Sequence, residues 1–121
     1  MLLNNQMDNI KNIILLTEEF FANNVSNFNI ETFEDSQDFY IDCLVYRSFW
    51  IRLNLADVEK GGVFSIDVSI GKITPLYALI ENAESLELNF DKQSIKNNFE
   101  ILNSYLLWRM TDNQKKTYHF L

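Results

Sequence analysis

The stretch YIDCLVYRSFWIRLNL, residues 40–55, decides the fold because apolar side chains recur at every second position on either side of a short break. This alternation predicts two β-strands that each bury one face, and the break at residues 46–48 predicts the loop of a hairpin. The same period of two returns between Phe64 and Ile70, which predicts a further strand. The centre of the chain is therefore expected to be an antiparallel sheet.

Apolar residues at helical spacing lie on both sides of this sheet. They predict one amphipathic helix over about residues 8–23, with Asp8 as its N-cap, and another over about residues 92–110, capped by Asp91. The inward stripe of the second helix includes Phe99 and Leu102. Two such helices and a sheet with one strongly apolar face predict a two-layer α+β fold, as a single domain over residues 1–121.

Shorter strands are predicted around this centre, which brings the sheet to about four to six strands. They cover residues 28–33, 73–80 and 86–90. Pro75 cannot donate a ladder hydrogen bond, so its strand is expected at an edge of the sheet or at a bulge. The link Gly71-Lys72 predicts a two-residue turn in which glycine supplies the positive φ.

Arg52 lies in the middle of an apolar strand, which raises the question of its partners. A face that is buried as a unit must pair core residues with core residues, and this sets Val45 opposite Phe49. Asp42 then lies opposite Arg52, and the next hairpin places Asp67 on its other side. The arginine is thus expected between two aspartates on three neighbouring strands.

Two interpretations of this group remain open. It predicts a partner-binding site in which Trp50, Tyr40 and Tyr46 are aromatic anchors around Asp42 and Arg52. It is also typical of an ordinary solvated sheet face, whose charges set the register and guard against edge association. A catalytic pair of carboxylates is disfavoured, because an arginine between them would hold both ionised.

The formal net charge of −7 is unevenly distributed. No base lies between Lys11 and Arg47, whereas seven acids do. Such a surface repels nucleic-acid phosphates and anionic membranes, so neither is expected as a direct partner. It attracts a basic protein, although it also serves solubility. The candidate partner-binding residues are Glu31, Glu34, Asp35, Asp38, Tyr40, Asp42, Trp50 and Arg52.

Cysteine, histidine and glycine usage argues against catalysis and cofactors. The single cysteine, Cys43, lies in mid-strand and is expected to be buried and inert, and the single histidine, His119, lies two residues from the end. Neither a nucleophile-elbow serine nor a glycine-rich phosphate loop occurs in the sequence. We therefore expect no enzyme, no metal site and no cofactor. The first residues lack the pattern of a signal peptide, which indicates a cytoplasmic protein.

In size, acidity and order of elements, rather than in any motif, the chain resembles the immunity proteins of bacterial contact-dependent growth inhibition and related polymorphic toxin systems. The resemblance implies an inhibitor that binds the C-terminal domain of a cognate toxin, often a nuclease. Glu34, Asp35 and Asp38 would suit the basic surface of such a domain. Two alternatives remain: an acidic type III secretion chaperone that binds an effector, and a small-molecule-binding domain or enzyme.

Overall fold

The computed structural model describes residues 2–119, and the side chains of residues 5–111 and 114–119. Within this range the chain forms a five-stranded antiparallel sheet in the order β1-β2-β3-β4-β5, with two long helices. The elements are α1 (Leu2–Phe21), β1 (Val25–Thr32), β2 (Phe39–Val45), β3 (Phe49–Ala56), β4 (Val63–Ser69), β5 (Ile73–Pro75), α2 (Lys92–Arg109) and α3 (Asp112–Thr117). The predicted α+β fold is confirmed.

One face of the sheet and one side of each long helix form the core. Buried and part-exposed residues alternate strictly along β2 and β4, as the period of two predicts. Both long helices pack on the buried face, and α2 contributes Phe99 and Leu102, which are 1% and 0% exposed. The opposite face, called the outer face below, carries half-buried and exposed side chains.

The predicted register is confirmed on both sides of β3. Val45 pairs with Phe49 and Asp42 with Arg52 in the first hairpin, and Arg52 pairs with Asp67 on β4. Asp42, Arg52 and Asp67 share one face, because directly opposed residues of antiparallel strands point to the same side. Residues of β2, β3 and β4 that alternate with the core therefore project together from the outer face.

Tyr46 does not belong to the outer face, contrary to the expectation of an aromatic anchor. It follows β2 in the left-handed conformation, with φ of 53°, and is only 4% exposed. This backbone turn carries the ring to the helix side, where it packs edge-on against Phe21 and Tyr118. Its hydroxyl donates a 2.6 Å hydrogen bond to Oδ1 of Asn103 on α2. Tyr46 thus closes the core at the end of the hairpin.

The first helix is longer than its sequence pattern predicts. It begins at Leu2, so Asp8 lies inside the helix and is not its N-cap. Residues 2–7 contain neither proline nor glycine, and leucine, glutamine and methionine among them are good helix formers. The helix ends at Phe21, because the next residue, Ala22, has a φ of 52°.

The second half of the sheet is shorter than predicted. The edge position of β5 is confirmed, but the strand stops at Pro75, where the chain turns into a 3-10 helix. The turn before it spans residues 70–72, with φ of 97° at Gly71. The strand expected over residues 86–90 is reduced to one bridge between Val63 and Asn89. Asn98 of α2 holds this segment instead, because its side-chain amide bonds both backbone groups of Glu87.

Candidate functional site

Asp42 and Arg52 form a two-pronged ion pair on the outer face. Nε of Arg52 donates to Oδ1 of Asp42 at 2.8 Å, and Nη2 donates to Oδ2 at 3.1 Å. The two side chains lie on directly opposed positions of β3 and β2, and they are 26% and 28% exposed. Strand pairing therefore fixes the guanidinium in a plane that matches the carboxylate.

Tyr40 completes this group from the next outward position of β2. The guanidinium carbon of Arg52 lies 3.9 Å from the centre of the Tyr40 ring, which is a cation–π contact. The hydrogen bond to Asp42 raises the pKa of Arg52, and this outweighs the lowering by partial burial. Arg52 is therefore a permanently charged, immobilised side chain, which suits recognition or structure and not proton transfer.

Asp67 lies opposite Arg52 in the register but does not share in the ion pair. Its Oδ2 accepts a 3.1 Å hydrogen bond from Nδ2 of Asn54, so Asn54 is its side-chain partner. The charge of Asp67 still adds slightly to the raised pKa of Arg52. The expected position of Arg52 between two aspartates is thus confirmed, but only Asp42 bonds it, and the carboxylate of Asp67 bonds Asn54 instead.

Trp50 lies beyond this group on the same face and is 42% exposed. It pairs directly with Leu44 of β2, which is half-buried. On the far edge strand, Ile73 pairs with Ser69 and is 45% exposed. The outer face therefore has a polar centre at Asp42 and Arg52 and accessible apolar side chains beyond it.

Three of the predicted acids lie at the other side of this face. Glu31 is exposed on β1 and pairs with Tyr40. Glu34 and Asp35 are exposed in the connection between β1 and β2, called the acidic loop below (residues 33–38). Phe33 is 49% exposed, and its ring lies 6.0 Å from that of Tyr40. Through Tyr40, the acidic loop and the Arg52 ion pair form one continuous surface.

Asp38 differs from the other acids of this loop. It is half-buried, and its Oδ1 accepts a 3.2 Å hydrogen bond from the backbone N–H of Val58. Its own N–H donates to Oγ of Ser36, and Nε2 of Gln6 on α1 donates to the carbonyls of Ser36 and Asp38. Asp38 therefore helps to hold the loop in place, while Glu34 and Asp35 present their charges to solvent.

Sequence reasoning missed Phe33 as part of this surface. The signal was an apolar residue directly before a run of acidic and polar residues, but it was interpreted only as the end of a strand. Tyr77 and Trp108 were also missed as accessible aromatic side chains and are 63% and 75% exposed. Tyr77, on a 3-10 helix, lines a depression together with Asn54 and Asp67, and Trp108 lies on α2.

Among the described residues, neither the thiol of Cys43 nor the possible metal ligands form a second site. Burial, followed by the nearby charge of Asp42, raises the pKa of Cys43 to about 12, and its side chain is fully buried. The thiol is therefore neutral and inaccessible at physiological pH. Among the side chains that the structure describes, no three histidine, cysteine or carboxylate groups lie close enough together to hold a metal ion. A depression of about 520 Å³ beside β4 is lined mainly by apolar side chains, among them Leu76, Leu86 and Leu88.

Comparison of the chain with protein-family models, with curated proteins and with solved structures finds no match in any of the three. Within residues 2–119, none of the helices combines the length and apolarity needed to cross a bilayer. The basis for a functional assignment is therefore the chemistry of the surface formed by the acidic loop, Tyr40 and the Arg52 ion pair.

Proposed function

We propose that the protein binds and neutralises a cognate toxin domain that has a basic surface, as the immunity proteins that it resembles do. One observation carries this proposal: Glu31, Glu34 and Asp35 are exposed together beside the accessible ring of Phe33. In the described part of the chain, the only ion pair joins Asp42 and Arg52, so these three acids have no basic partner within it. Such charges are available to another protein.

The two kinds of side chain on this surface have separate roles in binding. Acids on an exposed loop accelerate the encounter with a basic partner, and salt weakens this effect. Aromatic side chains supply most of the affinity once water is excluded around them, and here they are Phe33, Tyr40 and Trp50. A nuclease uses basic residues to hold phosphates, so an acidic loop that covers them would prevent substrate binding.

The Arg52 ion pair contributes to this surface by keeping it rigid. A side chain that is already ordered before binding loses little conformational entropy in the complex. Tyr40 is held by its contact with Arg52, and Arg52 is held by Asp42. The surface is therefore pre-organised at the place where the acidic loop meets the sheet.

The test compares a charge change in the loop with a matched change elsewhere. Glu34→Lys/Asp35→Asn changes two exposed loop acids and keeps a residue that tolerates the left-handed φ of 58° at position 35. Glu81→Lys/Glu84→Gln makes the same change of charge at two exposed acids outside this surface. We expect the loop variant to slow association with the basic cognate toxin domain about tenfold or more at low salt. It should also lose protection in a growth-rescue assay, whereas the control should keep it. Full protection together with salt-independent association by the loop variant would exclude the acidic loop from the mechanism.

A further inference from the structure

The two edges of the sheet differ in how they are protected from pairing with another chain. The β5 edge has three residues, ends in Pro75 and continues into a 3-10 helix, all of which discourage pairing. The β1 edge has eight residues and contains neither proline nor lysine. Its regular part, from Asn29 to Thr32, is exposed at every position.

Hydrogen-bond alternation shows which backbone groups of β1 face away from β2. The N–H of Tyr46 donates to the carbonyl of Asn24 at 2.7 Å, which makes these two residues a hydrogen-bonded pair. Bonded and non-bonded pairs alternate along an antiparallel ladder, so Tyr40 on β2 also bonds toward β1, to Glu31. The N–H and C=O groups of Ile30 and Thr32 therefore point outward, and no other described strand pairs with that side.

A bulge limits the free edge to this stretch. The register shifts between Ser26 and Asn29, where Asn27 has a φ of 58°. A bulge twists a strand and interrupts pairing locally, so the part before Asn29 is a poor template. Beyond it, Ile30 is 46% exposed although its partner Ile41 is fully buried. The edge thus offers an unpaired backbone together with an accessible apolar side chain.

We propose that the outer edge of β1 binds an extended basic segment of the partner as a sixth strand of the sheet. The identity of the partner rests on the proposed function, whereas the availability of the β1 edge for pairing does not depend on it. Charge complementarity selects the occupant, because Glu31 lies in the free stretch and Glu34 and Asp35 follow it. A second copy of this chain carries the same net charge of −7 and the same Glu31, so self-pairing brings like charges together.

Side-chain alternation defines the sequence that such a strand must have. On the outer face, its side chains lie beside Glu31 and favour lysine or arginine. On the other face, they lie beside Ile30 and favour apolar, β-branched residues. Backbone hydrogen bonds give affinity and alternate side chains give specificity in this mode of recognition. The expected ligand is a segment in which basic and apolar residues alternate.

The experiment uses the ¹⁵N-labelled full-length chain and two eight-residue peptides, one alternating lysine with valine and one alternating glutamate with valine. At a saturating concentration, the lysine peptide should slow amide hydrogen exchange at Ile30 and Thr32 by about fivefold or more. The glutamate peptide should leave both rates unchanged. The proposal is overturned if the two peptides slow exchange equally, or if the lysine peptide does not slow exchange at Ile30 and Thr32.

A matched pair of variants separates backbone pairing from side-chain contact. Ile30→Pro removes an outward N–H but no bond to β2, while Ile30→Val keeps the N–H and a β-branched side chain. We expect the first to abolish binding of the lysine peptide and the second to preserve it. Binding that is unchanged by Ile30→Pro contradicts strand addition. Should that variant fail to fold, the exchange rates of Ile30 and Thr32 in the unaltered chain still decide the question.

The toxin assay separates this proposal from the proposed function. If the loop variant no longer protects cells and the toxin domain does not slow exchange at Ile30 and Thr32, the proposed neutralisation is supported and strand addition is excluded. If the lysine peptide protects these two amides but the loop variant protects cells fully, the edge site stands and the assignment of its partner to a toxin falls.

Discussion

Arg52 and Asp42 are joined by two parallel hydrogen bonds across the central hairpin, and Tyr40 contacts the guanidinium from the same face. The pair is three-quarters buried, which places it between a solvated surface bridge and a core ion pair. Its contribution to stability is therefore expected to be measurable but small. Its main effect is to fix the position of Tyr40, where the acidic loop meets the sheet.

A double-mutant cycle measures this pair. Asp42→Ala, Arg52→Ala and the double variant should give a coupling free energy of about 0.5–1 kcal/mol by chemical denaturation, near the upper end for cross-strand charge pairs. Arg52→Lys should lose most of it, because an ammonium group cannot make the two parallel bonds. A coupling of zero would mean that the pair has no effect on stability, and retention of full coupling by lysine would mean that the bidentate geometry is irrelevant.

Two positions of α2 test where the helix packs. Leu102 is fully buried, so Leu102→Ala should lower the free energy of unfolding by about 2–5 kcal/mol. Trp108, on the same helix, is 75% exposed, so Trp108→Ala should change it by less than about 0.5 kcal/mol. Denaturant titrations of both variants give the comparison. Equal midpoints for the two variants would contradict the packing of α2 on the sheet.

The buried thiol of Cys43 should make the folded chain less stable at alkaline pH. The thiol pKa is raised from 9.0 to about 12 in the folded chain, because burial disfavours the thiolate. The contribution of the neutral thiol to the free energy of unfolding is therefore fully present below about pH 9. It is lost as the pH rises toward 12, because the thiol of the unfolded chain ionises first and this favours unfolding. The loss should be about 1.4 kcal/mol per pH unit in that interval. Tyr46, whose pKa is also raised by burial, adds a loss of the same sign above pH 10.

Cys43→Ala isolates this contribution. The variant has a lower stability at pH 7, because it leaves a small cavity, but its stability should fall less steeply between pH 9 and 10 than that of the unaltered chain. Denaturation at several pH values measures both slopes. Parallel curves for the two proteins would show that Cys43 ionises equally easily in the folded and unfolded states.

The centre of the sheet was predictable because its pattern is local and its constraint is strict. A one-residue slip would turn every side chain of a strand to the wrong face, so the pairing of Val45 with Phe49 determined that of Asp42 with Arg52. The cap of α2 was equally predictable, since an aspartate bonds an N–H three residues ahead, here that of Ser94. In both cases the deciding contacts follow from residue spacing alone.

The surface around this centre was only partly predictable, because its geometry depends on loop conformation and on distant contacts. The left-handed φ of Tyr46 reverses the side on which its ring lies, and period-two alternation does not encode it. The bonds from Gln6 to the two loop carbonyls span 30 and 32 positions in the chain. That Asp67 bonds Asn54 and not Arg52 depends on side-chain geometry across two strands. None of these follows from a sequence period.

The acids of the loop have different roles, because Asp38 is half-buried and bonded whereas Glu34 and Asp35 are exposed. Asp38→Ala removes the acceptor for the Val58 N–H and should cost about 1–2 kcal/mol, whereas Asp38→Asn keeps an acceptor oxygen and should cost less than about 0.5 kcal/mol. Glu34→Ala, at an exposed position of the same loop, should leave stability unchanged within about 0.5 kcal/mol but weaken steering of a basic partner. Denaturation and salt-dependent association rates measure the two effects. A stability loss in Glu34→Ala equal to that in Asp38→Ala would contradict this division.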